Sequence, residues 1–441
     1  MGCKITREIG EENIMEYTIE LQDIPWDRLD AWSDYCKYAK RHCRYLQFPE
    51  QGTVIFKDDK MRYTMYDATV IVKGGVSDFL DQYFPIEVQD ASNPEVHILP
   101  LETKVYSSTY LFSSTRLAIL QADEKARPVL DKYLIDLFCC YNPEYDTFYF
   151  MEEDYEKLLR YERVNYADIG YGVELLDWIR QRISDDAYVN IHLDEYYIPE
   201  KEWYEKRHFV HETLIYGYDD VKKVFHAYGF GKREQMLCFE IGYGDLIRAF
   251  EKGRLFYFSG AEYLEKPECF PITAMTVCVQ EEFELDWRFM KEKLWWYLHP
   301  LKNDVRDGVE YVHGIDVHIA IWEELEGTRK TDTVDYRTFH LLWEHKRNLC
   351  RLLTKILPME DYSYGINDIM AGYRELESKY EQIRWTYLMK SDQNDLLDSM
   401  SHVVTDKTWK KRMALKMREM FDLERKVLYR HILADYHANL M

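Results

Sequence analysis

From residue 285 onward, apolar side chains recur every three to four positions in five successive stretches: 285–298, 309–326, 335–357, 366–389 and 392–438. That period puts them on one face of a helix, and a face so apolar must be buried against others like it. Leu341, Leu342, His345, Leu349, Leu352 and Leu353 form one such stripe. Pro300, Gly308, Gly327, Pro358 and Gly365 fall between the stretches as expected stops. The pattern predicts a bundle of four or five helices over 281–441. No fixed repeat length calls for a solenoid.

Upstream the texture differs. Residues 13–21 alternate like a strand, and 26–46 carry helical spacing. Runs 53–57 and 61–72 alternate about Asp58-Asp59-Lys60, the signature of a hairpin. A short helix over 76–83 completes a small α+β module, 1–92, to which no chemistry attaches. Pro85 and Asn93-Pro94 mark the expected linker. Over 93–280 the reading is helix at 114–121 and 129–140, strand at 147–151, helix at 171–183 and strand at 187–193. A hairpin of 208–218 and 221–228 follows, turned at Asp219-Asp220, then a strand at 237–241 and a helix at 243–251. Helices first and antiparallel strands after is an α+β order. It lacks the strand–helix alternation of a parallel sheet and any glycine loop that would cradle a phosphate. A chain of 441 residues has room for these two or three domains.

Charge narrows the partners. Asp and Glu number 79 against 57 Lys and Arg, a formal net charge of -22. Such a field repels phosphate backbones and anionic membranes, which argues against nucleic acid as the main partner. No run approaches 18 apolar residues, so no membrane span is expected. The one cationic stretch, Lys407 to Arg412 with Lys416 and Arg418, reads as a solvated helix face or a patch for an acidic partner. The 37 tyrosines and 11 tryptophans suit thin cores and partner surfaces alike. Nine irregularly spaced cysteines without a CxxC pair fit reduced thiols, and the charged N-terminal segment lacks the apolar core of a signal peptide. A cytoplasmic protein is the expectation.

Two stretches carry a resemblance. Asp194-Glu195-Tyr196-Tyr197-Ile198-Pro199 is followed by the segment 208–220, His-Phe-Val-His-Glu-Thr-Leu-Ile-Tyr-Gly-Tyr-Asp-Asp. Further on, 337–346 reads Arg-Thr-Phe-His-Leu-Leu-Trp-Glu-His-Lys. Together they resemble the N-terminal domain family of butirosin biosynthesis protein H with its helical tail, over roughly residues 96–390. The resemblance implies a papain-like, cysteine-peptidase-type core at 93–280, beside the N-terminal module and the C-terminal bundle. It also implies peptide or secondary-metabolite biosynthesis in bacteria, with an acyl or peptidyl group moved from a carrier protein to an amine. That chemistry uses a thiolate nucleophile, an imidazole to activate it and a third group to orient the imidazole.

Mapped onto this chain, His211 takes the place of the catalytic histidine, with His208 as its alternative at the strand's entry. The helix that begins with cysteine in the family reads Ser113-Ser114-Thr115-Arg116-Leu117 here, so Ser113 or Ser114 stands for the nucleophile. A serine hydroxyl is far harder to ionise than a thiol, and serine at a helix start is commonly an N-cap. The family's acid after the Gly-Tyr-Asp turn is missing from 224–230; Asp219 and Asp220 lie nearby, Asp219 standing in for the third group, and both also suit a turn. These departures raise a second reading, a catalytically silent shell that binds a biosynthetic partner. Cys139-Cys140 on an apolar helix is an alternative thiol, more simply read as packing. His208, His211 and His226 with Asp194 or Glu195 make a conceivable zinc set, but His208 and His211, three apart on a strand, point to opposite sides. No metal or cofactor is expected. His345 reads as a core histidine on its apolar stripe.

Overall fold

The computed structural model describes residues 2–9, 15–25, 45–48, 52–62, 65–73, 95–142, 147–151, 155–164, 173–232, 235–259, 272–300, 304–306, 309–328, 336–356, 363–390 and 406–430. Residue contacts divide the chain into two units: Met1–Thr103 with Arg160–Thr276, and Lys104–Leu159 with Val277–Met441. The expected modules 1–92 and 93–280 therefore share the first unit, while 104–159 joins the C-terminal helices in the second.

The first unit opens with β1 (Gly2–Ile9), β2 (Met15–Pro25), β3 (Tyr45–Phe48), β4 (Gly52–Arg62) and β5 (Met65–Lys73). They form an antiparallel sheet in the order β1-β2-β5-β4-β3. Of the alternating run 13–21, residues 15–21 lie in β2, and the expected hairpin is β4–β5. Its turn is not at Asp58-Asp59-Lys60, however. Arg62 pairs with Met65, and the register slips between Asp58 and Lys60, a bulge that bends β4 without ending it. Of the helix expected over 26–46, residues 26–44 lie outside the described residues, as do the helix expected over 76–83 and the linker at Pro85 and Asn93-Pro94, while Tyr45 and Leu46 belong to β3 and correct the helix at its end.

β6 (Val96–Ile98) follows, after which the chain enters the second unit with α1 (Leu111–Ala122), α2 (Ala126–Leu130), β7 (Phe138–Asn142) and β8 (Thr147–Met151). The helix expected over 129–140 is thus corrected: it stops at Leu130, and Cys139-Cys140 lie on a strand. A short apolar run reads the same as buried strand or buried helix, and pairing decides it. Here Cys139 stands opposite Val312 on one side and Phe150 on the other.

The first unit resumes with β9 (Leu159–Val164), α3 (Val173–Ser184), β10 (Tyr188–Asp194), β11 (Val210–Asp219), β12 (Val224–Phe230), β13 (Met236–Gly242), α4 (Tyr243–Ser259) and β14 (Ile272–Val277). These strands order as β13-β12-β11-β10-β14-β9, with β6 paired to β11. Val189, Ile191 and Leu193 share one face of β10 and are buried, and register sets Ile215, Thr213 and His211 opposite them. Helices α3 and α4 pack on β10 and β11, adding Leu175, Ile179, Leu246 and Phe250 to the buried set. Each such side chain contributes roughly 1.5–3 kcal/mol. The chain therefore has an α+β architecture, an antiparallel sheet followed by C-terminal helices.

Those helices, in the second unit, are α5 (Trp287–Leu298), α6 (Val317–Glu326), α7 (Tyr336–Ile356), α8 (Ser363–Lys390) and α9 (Lys407–Leu428), with β15 (Asp304–Arg306) and β16 (Val309–His313) between α5 and α6. The helix expected over 309–326 is corrected at its start, where Val309–His313 pairs with β7. Gly314 separates strand from helix at φ +60, and a Cβ there would lie 2.3 Å from the Tyr297 carbonyl oxygen. Gly327 ends α6 in the left-handed conformation, as a C-cap glycine does. Gly365 is no stop; it lies in the first turn of α8. The stripe on α7 from Leu341 to Leu353 is buried throughout. On α9, Lys407, Lys411, Arg412 and Lys416 are exposed, and Arg418 pairs with Glu326 at 2.8 Å. Among the described residues no helix is long and apolar enough to cross a membrane.

Candidate functional site

Antiparallel pairing of β10 with β11 brings the end of one strand to the start of the other. Leu193 stands opposite His211 and Asp194 opposite Val210. After β10 the chain turns through a 3-10 segment, Glu195–Tyr197. Asp194 caps it by accepting from Tyr196 N at 3.1 Å, and its carboxylate also accepts from Phe209 N at 3.1 Å and faces His208 Nδ1 at 2.7 Å. Asp194 is thereby committed to holding the two strand ends together.

The adjacent carboxylate does something else. Glu195 Oε1 lies 3.1 Å from His211 Nδ1 and 3.5 Å from Lys201 Nζ. The Lys201 side chain is 0% exposed and that of Glu195 4%, while the His211 side chain remains 31% exposed. Burial alone would push the Glu195 carboxyl up, but the Lys201 ammonium and the His211 ring together hold it below its ordinary value. Burial pushes the Lys201 ammonium down, opposed by the Glu195 charge, and the Phe239 ring lies 5.4 Å from Nζ. Phe209 and Phe230 flank the imidazole, with ring centroids 5.1 and 6.3 Å away.

With Nδ1–H donated to Glu195, the neutral imidazole carries its lone pair on Nε2. This is the geometry of an oriented general base: a carboxylate fixes the tautomer and steadies the imidazolium that forms on proton uptake.

The Gly-Tyr-Asp-Asp stretch has a different use. Asp219 Oδ1 accepts from Lys222 N at 3.0 Å, a turn role. Asp220 is buried and accepts from Arg180 Nη2 at 2.6 Å, Tyr243 OH at 2.7 Å and Glu95 N at 3.0 Å, tying the hairpin to α3, α4 and β6. At Gly217 a Cβ would come within 2.8 Å of the His97 carbonyl oxygen, so the close approach of β6 needs glycine.

Ser113 and Ser114 belong to the other unit. Helix α1 begins at Leu111, so they are its third and fourth residues rather than its cap. Both are buried, and the Ser114 hydroxyl donates to the Tyr110 carbonyl at 2.8 Å. Cys139 and Cys140 are likewise in the second unit and buried. Among the described residues no group of three or more His, Cys, Asp or Glu gathers as a metal would require. No family model matches this chain, and no curated protein does.

In the second unit, Glu344, His345 and Lys346 are all buried, each facing a different partner. His345 Nε2 donates to the Ile135 carbonyl at 2.9 Å, and burial presses its pKa down to about 3, so it is a neutral core histidine. Glu344 collects the hydroxyls of Ser107, Ser108 and Thr109.

What the sequence reading missed is Glu195 with Lys201. One signal for Glu195 was present: two consecutive acids end one predicted strand, and two histidines open the next. Read as a zinc set, the two acids gain no role as partners of the histidines. For Lys201 no local pattern distinguishes it from the surface lysines around it.

Proposed function

We propose that this protein is a papain-like acyltransferase of the butirosin biosynthesis protein H type, moving an acyl or peptidyl group from a carrier protein's thioester to an amine, with His211 as general base. The observation that carries the reading is the pairing of a partly exposed His211 with the buried Glu195 at 3.1 Å. In the step it supports, the amine nitrogen attacks the thioester carbonyl and a C–N bond forms. The amine proton passes to His211 Nε2, the C–S bond breaks, and the proton is returned to the departing thiolate. Glu195 steadies the imidazolium in between. The direct route asks nothing of Ser113 or Ser114, whose burial suits helix packing.

The test uses the full chain with an acyl-phosphopantetheine thioester and a primary amine, following thiol release and amide formation together. His211→Ala is expected to lose about 100-fold or more in rate, the usual scale for a positioned base. Asp219→Asn is expected to keep the wild-type rate, because Asp219 serves the turn. Undiminished transfer by His211→Ala overturns the proposal.

The burial of both serines and the internal hydrogen bond of Ser114 favour a second reading, a papain-like shell that binds a biosynthetic partner without turnover. It predicts stoichiometric binding of an acylated carrier domain and no covalent adduct. An acyl group found on Ser113 or Ser114 by intact-protein mass spectrometry and peptide mapping would rule it out.

A further inference from the structure

We infer that Lys201 is a positioning residue for His211, acting through Glu195: its buried ammonium lies against the carboxylate that orients the His211 ring and gives that carboxylate a second cation to face. The inference rests on the reading of His211 as the base, and it deepens that reading by naming how the base is tuned.

A histidine beside a lone buried carboxylate would exist as an ion pair, with the imidazolium as the only charge available to offset the anion. Such a histidine is well oriented but a poor base near neutral pH, since the proton it should accept is already there. At this site the anion has a second cation beside it. Lys201 follows the 3-10 segment closely, with its backbone N donating to Ile198 O at 3.0 Å, so the turn carries the ammonium back to Glu195 Oε1 at 3.5 Å. Its side chain is fully buried. Burying an ammonium without a purpose is costly, and the cost is offset here by the carboxylate and the face of Phe239.

The surrounding charges leave this assignment clear. Asp194, next to Glu195, is turned to His208, Tyr196 N and Phe209 N. Strands β12 and β13 present Phe230 to His211 and Phe239 to Lys201. Helix α4, packed on the 3-10 segment, carries Glu251 and Lys252, both buried and opposite in sign. Glu202 is paired with Lys206 at 2.9 Å on the surface. The groups that act on the Glu195 carboxylate are therefore Lys201 and His211.

The experiment is an NMR titration of the His211 ring nitrogens in the full chain, which reports both midpoint and tautomer and needs no substrate. In Lys201→Met the His211 midpoint is expected to rise by about one pH unit or more, a tenfold gain in proton affinity, because Glu195 then has only the imidazolium to face. In Glu195→Gln it is expected to fall, and the preference for the Nδ1–H tautomer is lost. Lys201→Arg keeps the charge and is expected to stay near the wild type. A purely structural role for Lys201 would not move the midpoint in opposite directions in the first two variants. An unchanged or lowered midpoint in Lys201→Met overturns the inference. Should Lys201→Met fail to fold at neutral pH, the Lys201→Met/Glu195→Gln double variant leaves no charge of this pair buried. Its midpoint must then match that of Glu195→Gln to within about twofold in proton affinity, and a larger difference would mean that Lys201 does not work through Glu195. Absence of acyl transfer with the midpoints moving as expected would sink the proposed reaction and leave the Lys201 assignment standing; the reverse outcome would do the opposite.

Discussion

Replacing Glu424 by Gln is expected to lower the unfolding free energy by roughly 3–5 kcal/mol, the scale for removing one partner of a buried ion pair. Glu424 Oε1 faces Lys346 Nζ at 2.6 Å, while Oε2 accepts from Tyr297 OH at 3.2 Å and lies 3.3 Å from His318 Nε2. Lys346, Glu424 and His318 side chains are all 0% exposed. Burial and the nearby Lys346 charge push the His318 imidazole well down, so it is neutral and has a single N–H to give between Glu424 and the Ile315 carbonyl. Lys346 is therefore the charge that matches Glu424. A glutamine of the same shape leaves that ammonium buried with no anion. The paired replacement Lys346→Met/Glu424→Leu removes both charges at once and should recover most of the loss, since apolar residues of similar volume often serve as well in such places. Urea unfolding followed by circular dichroism measures both. A loss below about 1 kcal/mol in Glu424→Gln would show that the pair contributes little.

The second large effect is expected on acidification. Glu344 is buried and accepts from Ser107 Oγ at 2.8 Å, Ser108 N at 2.7 Å, Ser108 Oγ at 2.8 Å and Thr109 Oγ1 at 2.6 Å, with His340 Nε2 at 3.1 Å. Burial opposes its ionisation, but His340 and these donors outweigh it and draw the carboxyl from 4.5 down to about 2. A carboxyl depressed in the folded state contributes stability that is present above its unfolded value and lost as pH falls through the folded one. The window is thus from about pH 4.5 down to about pH 2, and the gap corresponds to about 3 kcal/mol at neutral pH. Glu344→Gln should remove a comparable amount at pH 7, because an amide nitrogen would face hydroxyl and backbone donors. It should also flatten the acid limb of the stability profile. Chemical denaturation repeated from pH 7 to pH 2 decides it: an acid limb of equal depth in wild type and variant would mean that Glu344 is not its source.

Both sites come from a stretch whose helical period was legible. The stripe on α7 announced its buried face, and His345 on that stripe was readable as a core residue. Its neighbours Glu344 and Lys346 were not readable as buried, because charged residues beside an apolar stripe usually lie in water; here Ser107–Thr109 and Glu424 supply what water would have. The same limit shows in the strands. Strand patterning identifies β10, β11, β12 and β13 closely, whereas 129–140 and 309–313 resemble helix because their apolar runs have no period that separates a buried strand from a helix.

At the candidate site the sequence determined that His211 opens a strand whose hairpin turns at Asp219-Asp220. It also determined that an acidic pair closes the strand before it. Periodicity and turn chemistry are local, and these statements need nothing more. Tertiary structure alone decided that Glu195 rather than Asp219 faces His211, that Asp194 is spent on His208 and on capping, and that Lys201 is buried beside them. Those outcomes depend on the register between two antiparallel strands and on which charges the packed sheet and helices enclose. Both are set by contacts across many residues of chain, whereas a local pattern extends only a few.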